Sequence, residues 1–91
     1  MAKIFVVDRE DQATVKAFKV DQEYQADILV YVVNQENQAT DVHWFYVKQD
    51  SQATTKLFWV KEEQKADLKV LFVREEYQAK WVKGHSLQNR L

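Results

Sequence analysis

The sequence predicts an all-β fold of seven short strands wound as two interleaved circuits, and three observations point there. An alanine returns along the chain as Ala13, Ala26, Ala39, Ala53, Ala66 and Ala79, at spacings of 13, 13, 14, 13 and 13 residues. The residues after each alanine are dense in valine, leucine and aromatics, as strands are. There is one glycine, Gly84, and no proline. Tight two-residue hairpins need positive φ and are disfavoured in such a chain. A parallel β-solenoid is the alternative architecture.

The elements follow as one repeat domain over residues 1–91, with units 1–13, 14–26, 27–39, 40–53, 54–66 and 67–79 and a partial unit 80–91. Each full unit carries an aromatic or leucine eight residues before its alanine: Phe5, Phe18, Tyr31, Phe45, Phe58 and Leu71. A valine stands six before (Val7, Val20, Val33, Val47, Val60, Val73) and an acid three before (Glu10, Glu23, Glu36, Asp50, Glu63, Glu76). In "ADLKVLFVREEYQ", from Ala66, the first eight residues read as strand and the polar remainder as turn. Leu68 and Val70 alternate, and so do Leu71 and Val73, with a change of face expected between the two pairs. A helix over "VREEYQAKWVK" is the weaker reading, because β-branched and aromatic residues dominate elsewhere. The last segment opens as a seventh unit with Trp81 and Val82 and then leaves the pattern, Gly84 falling where the aromatic belongs.

A longer period overlies the short one. Residues 13–39 shifted by 40 match 53–79 at 13 of 27 positions, so three units form a block that occurs twice. Five residues before the alanine the first block has Asp8, Asp21 and Asn34, and the second Lys48, Lys61 and Arg74. Seven before, Val6, Lys19 and Val32 give way to Tyr46, Trp59 and Phe72. Stacking successive units would set acid beside acid and base beside base, which is unfavourable across a sheet. Setting unit one beside four, two beside five and three beside six joins opposite charges, hence the expectation of two interleaved circuits.

The phrases "QADILVYVVNQENQA" and "KADLKVLFVREEYQA" resemble the repeat signature of the small bacterial septknot family. The closing "QAKWVKGHSLQNRL" is similar to the family's Ala-x-Trp ending, with Lys80 where a glycine commonly follows the alanine. The resemblance implies an all-β fold with a deep knot of seven crossings, made by a chain wound twice round. It implies no activity, cofactor or catalytic residue.

Composition narrows the function. A formal net charge of −1 gives no basic surplus for broad binding to nucleic acid or anionic lipid. The absence of cysteine removes disulfides and thiolate metal sites. No apolar run suits a signal peptide or a membrane span, and the expected location is the cytoplasm. The repeated acids read as turn caps for backbone N–H groups and not as a catalytic pair, which needs two different environments. His43 and His85 are the two bases suited to neutral pH, in different units and without a recognisable partner; His43 stands in the column of Lys3, Lys16, Lys56 and Lys69, read as solvent-facing. A metal shared by them would need a third ligand such as Asp41. The lysine column with Trp44, Tyr46 and Trp59 resembles a stacking platform for single strands, against a reading of core aromatics and a wet lysine face. The single glycine excludes a glycine-rich phosphate loop.

The expected function is a non-enzymatic structural or interaction module of high stability. The alternative is weak binding of nucleic acid or anions through the lysine and aromatic columns, and an enzyme using His43 or His85 ranks last. No catalytic, cofactor-binding or metal-ligating residue is assigned and no cofactor is expected. The expected state is a monomer whose partner, if any, is a protein, not nucleic acid or membrane.

Overall fold

A computed structural model describes residues 2–91. Seven strands follow in order: β1 (Lys3–Val6), β2 (Val15–Lys19), β3 (Ile28–Val32), β4 (His43–Tyr46), β5 (Thr55–Trp59), β6 (Leu68–Phe72) and β7 (Lys80–Trp81). A single 3-10 turn follows each of the first six, over Glu10–Gln12, Glu23–Gln25, Glu36–Gln38, Asp50–Gln52, Glu63–Lys65 and Glu76–Gln78. This is how the chain reverses without glycine or proline. The residues flanking each turn are extended with negative φ, and the alanine N–H donates to the carbonyl of the acid. Every residue there keeps an ordinary backbone conformation.

The first six strands are all parallel and lie side by side as β4-β1-β5-β2-β6-β3, and β3 pairs with β4 to close the ring. Each strand of units one to three therefore sits between two strands of units four to six. Apart from units three and four, whose β3–β4 pairing closes the ring, successive units do not stack as a solenoid would require. The valine column seals the alternation: Val7, Val20, Val33, Val47, Val60 and Val73 donate their N–H groups to the carbonyls of Leu57, Val70, Trp44, Ile4, Ala17 and Val30, always from one block to the other. β7 adds on antiparallel beside β3, with Ile28 opposite Trp81.

The register corrects one expectation. Lys3 lies opposite Phe45, two residues past its repeat equivalent His43, and Val15 lies opposite Leu57 where the equivalent is Thr55. Ile28 likewise meets Val70 instead of Leu68. A sheet can close into a barrel only if its strands tilt and stagger. The stagger moves Asp8, Asp21 and Asn34 off the level of Lys48, Lys61 and Arg74, and no ion pair joins those columns among the described residues. The two blocks are neighbours as the charges suggested, but not through those charges.

Inside the ring lie Ala2, Ile4, Val15, Ala17, Ile28, Val30, Trp44, Leu57, Leu68 and Val70, all buried, with Thr55 among them. These are the positions eleven and nine before each alanine, the inward side of each pleat. The two apolar pairs do fall on opposite faces, but without the bend or bulge expected between Val70 and Leu71. Leu68–Phe72 is one unbroken strand with Leu68 and Val70 in the barrel and Leu71 in a separate outer cluster with Val20, Ala26, Leu29, Phe18, Val73 and Val82. Apolar residues occur on both faces because a parallel sheet buries both. In that cluster Ala26 is fully buried; Ala39 is buried too, while Ala13, Ala53, Ala66 and Ala79 are half-buried and none is exposed.

Candidate functional site

The two ends of the barrel differ in chemistry. At the end where the strands begin, the chain's own tail is the stopper. Leu91 is buried against the core, with Leu87, Trp81 and Val42 packed beside it. Asp41 holds the assembly: its carboxylate accepts from the Trp81 indole at 2.7 Å, the Asn89 N–H at 2.7 Å and the Leu91 N–H at 3.1 Å. Its carbonyl accepts from the Trp44 indole at 3.0 Å. Asn89 turns the tail at a φ of 67°, in the left-handed region that asparagine tolerates better than most residues.

At the opposite end, where the strands finish, the inward position seven before each alanine meets water. Val6, Val32 and Tyr46 are exposed there, and Trp59 and Phe72 half-buried. Phe18, Lys19, Tyr46, Trp59, Val60 and Phe72 line an open hollow of about 470 Å³. Trp59 and Phe72 pack with ring centres 5.8 Å apart, and Phe72 stands edge-on to the buried Trp44 at 6.1 Å. The Lys19 ammonium lies over the Phe72 ring, 5.9 Å from its centre. Although 37% of Tyr46 is exposed, partial desolvation by its neighbours raises the phenol above its ordinary pKa, so it is a neutral donor at physiological pH.

The residues suspected of chemistry are occupied in building the fold. His43 bonds to the Thr40 hydroxyl at 2.8 Å and faces the Glu76 carbonyl at 3.3 Å. His85 faces the Asp67 carbonyl at 2.9 Å, stacks on Trp81 and lies 3.6 Å from the Asp27 carboxylate. Asp41 holds the tail instead of joining them. Among the described residues no three histidine or acid side chains converge on a point suited to a metal.

The repeated acids do not cap their own turns, contrary to expectation. Four of the six carboxylates reach lysines instead: Glu10 to Lys16 at 3.2 Å, Glu36 to Lys3 at 2.6 Å, Glu63 to Lys69 at 3.0 Å and Glu23 to Lys80 at 4.0 Å. The hydrogen bond and charge of Glu63 raise the Lys69 pKa. The 3-10 bond to the alanine N–H serves each turn, and in the last one a capping box adds to it, the Gln78 side chain accepting from the Glu75 N–H at 3.2 Å. The platform sketched from sequence is not assembled either. The lysine column faces outward, Trp44 is inside the barrel, and Tyr46 and Trp59 are at the mouth.

A third set escaped the sequence reading. The residue after four of the six alanines reaches a neighbouring strand of the other block and bonds it twice, while Thr40 bonds His43 within its own unit. The Thr54 hydroxyl accepts from the Lys3 N–H at 2.8 Å, while the Thr54 N–H donates to the Lys3 carbonyl. Thr14 does the same with Lys56, Asp27 with Lys69 and Asp67 with Lys16. The signal was present as a short oxygen-bearing side chain after five of the six alanines, Thr14, Asp27, Thr40, Thr54 and Asp67.

The sequence model of the 7(1) septoil knot domain matches residues 1–82. The chain belongs to the septknot family. In this septknot chain the last nine residues, which include most of the tail stopper, lie beyond the matched stretch. Comparison with curated proteins and with solved structures finds no match.

Proposed function

We propose that this septknot is a non-enzymatic structural or interaction module whose asset is resistance to unfolding, working as a monomer in a bacterial cytoplasm. We further propose that its winding is the seven-crossing knot for which its family is described. The observation that carries the reading is the alternation of blocks around the ring, reinforced at each junction by a valine N–H bond and at four of them by a threonine or aspartate clamp. Pulling out any one of the first six strands breaks pairings with two neighbours, and every pairing around the ring except β3–β4 joins strands distant in sequence. The side chains suited to chemistry (Asp27, Asp67, His43, His85) hold backbone groups.

Such a domain unfolds slowly, since no strand can leave alone, and folds slowly, since its contacts are non-local. The test is unfolding in concentrated guanidinium followed by tryptophan fluorescence. The reading expects half-lives of hours or longer, toward the slow end of the range for small domains, about 10⁻⁶ per second when extrapolated to water. Complete unfolding within seconds in moderate denaturant would reject the stability role.

A further inference from the structure

The barrel mouth carries a feature that a stable scaffold does not need. Of the six inward positions seven before the alanines, five are apolar or aromatic: Val6, Val32, Tyr46, Trp59 and Phe72. The sixth is Lys19. Of the outer-face lysines, Lys3, Lys16 and Lys69 each have a carboxylate within 3.2 Å, and Lys56 has no ion pair within 4.0 Å among the described residues. No ion pair within 4.0 Å is found for Lys19 among the described residues, and its ammonium rests over the Phe72 ring instead. A lone cation on an aromatic-lined hollow is a complement for a negative charge carried on a flat apolar body. The hollow is within the usual size range of small-molecule sites, about 300–1,000 Å³, and barrel mouths are a common place for them. Its rings are Phe18 of the first block and Tyr46, Trp59 and Phe72 of the second.

We propose that the mouth binds a planar aromatic carboxylate, its ring against Trp59 and Phe72 and its carboxylate on the Lys19 ammonium, with the Tyr46 hydroxyl available as a donor. This goes beyond the stability role: the scaffold reading stands or falls on unfolding rates, and the site on ligand selectivity.

The test is titration of the intact chain with 2-naphthoate and with its uncharged counterpart 2-naphthamide, followed by calorimetry and by backbone amide NMR shifts. The expected result is that naphthoate binds about tenfold more tightly than naphthamide, the gain of one charge-assisted contact. Shifts should centre on Lys19, Tyr46, Trp59 and Phe72. Lys19→Gln, a change at an exposed position, should abolish the preference while the spectrum stays folded, and Lys19→Arg should keep it. Equal binding of acid and amide would overturn the proposal. So would shifts centred elsewhere, or a preference that survives Lys19→Gln. Saturable binding of oligothymidylate at the mouth with none of naphthoate would assign the site to nucleic acid instead and also overturn it.

Discussion

Asp41 does the work of several residues. One carboxylate takes three donors, two of them from the last three residues, and so fastens the tail beneath the barrel. Asp41→Asn keeps the size but loses the charge and turns an NH₂ toward those donors. It should destabilise the fold by roughly 1.5–3 kcal/mol, the range for bonds to a charged group. Equilibrium denaturation reads the loss, and faster hydrogen exchange at Asn89 and Leu91 shows where it falls. At the other end Tyr46 makes a pH prediction. Partial desolvation raises its pKa in the fold above the unfolded value of about 10, so above that pH the unfolded chain loses a proton that the folded one retains. Stability should fall as pH climbs past about 10, and Tyr46→Phe should remove part of that fall. Denaturation midpoints of the two proteins that decline in parallel would contradict it.

The element that repeats is a parallel strand, one 3-10 turn and a clamp. Its strand was legible because its inward positions are rich in Val, Ile and Leu and its outward column is aromatic, and its turn because polar residues cluster before each alanine. The identity of the turn was less legible, since one 3-10 turn leaves no helical period in the sequence. The acids misled for a physical reason. Their carbonyls, not their carboxylates, serve the turn, which frees the side chains for the lysines. The clamp was overlooked because its partner lies 42 or 51 residues away, and only the barrel's stagger fixes which residue that is. Asp67→Ala should release the Lys16 N–H from its 3.1 Å bond and cost about 1–3 kcal/mol. Denaturation together with exchange at the Lys16 amide checks this. An unchanged midpoint would show that the backbone bond from Asp67 to the Lys16 carbonyl suffices alone.

For the whole molecule, the sequence contained which block lies beside which but not the register. Charge exchange between Asp8, Asp21 and Lys48, Lys61 was enough to favour interleaving over stacking. It could not reveal the two-residue slip, because shear is a property of ring closure and no local pattern encodes it. The mouth was visible only as a contrast of sizes, Val6, Lys19 and Val32 against Tyr46, Trp59 and Phe72, with no indication that all six share one rim. The interleaved winding is the central claim, and hydrogen-bond scalar couplings from the valine amides measure it directly. Couplings should join the Val7 N–H to the Leu57 carbonyl, Val20 to Val70, Val33 to Trp44, Val47 to Ile4, Val60 to Ala17 and Val73 to Val30. Couplings that ran instead from each unit to the next along the chain, Val7 to unit two and Val20 to unit three, would mean a simple solenoid and contradict the two-circuit fold.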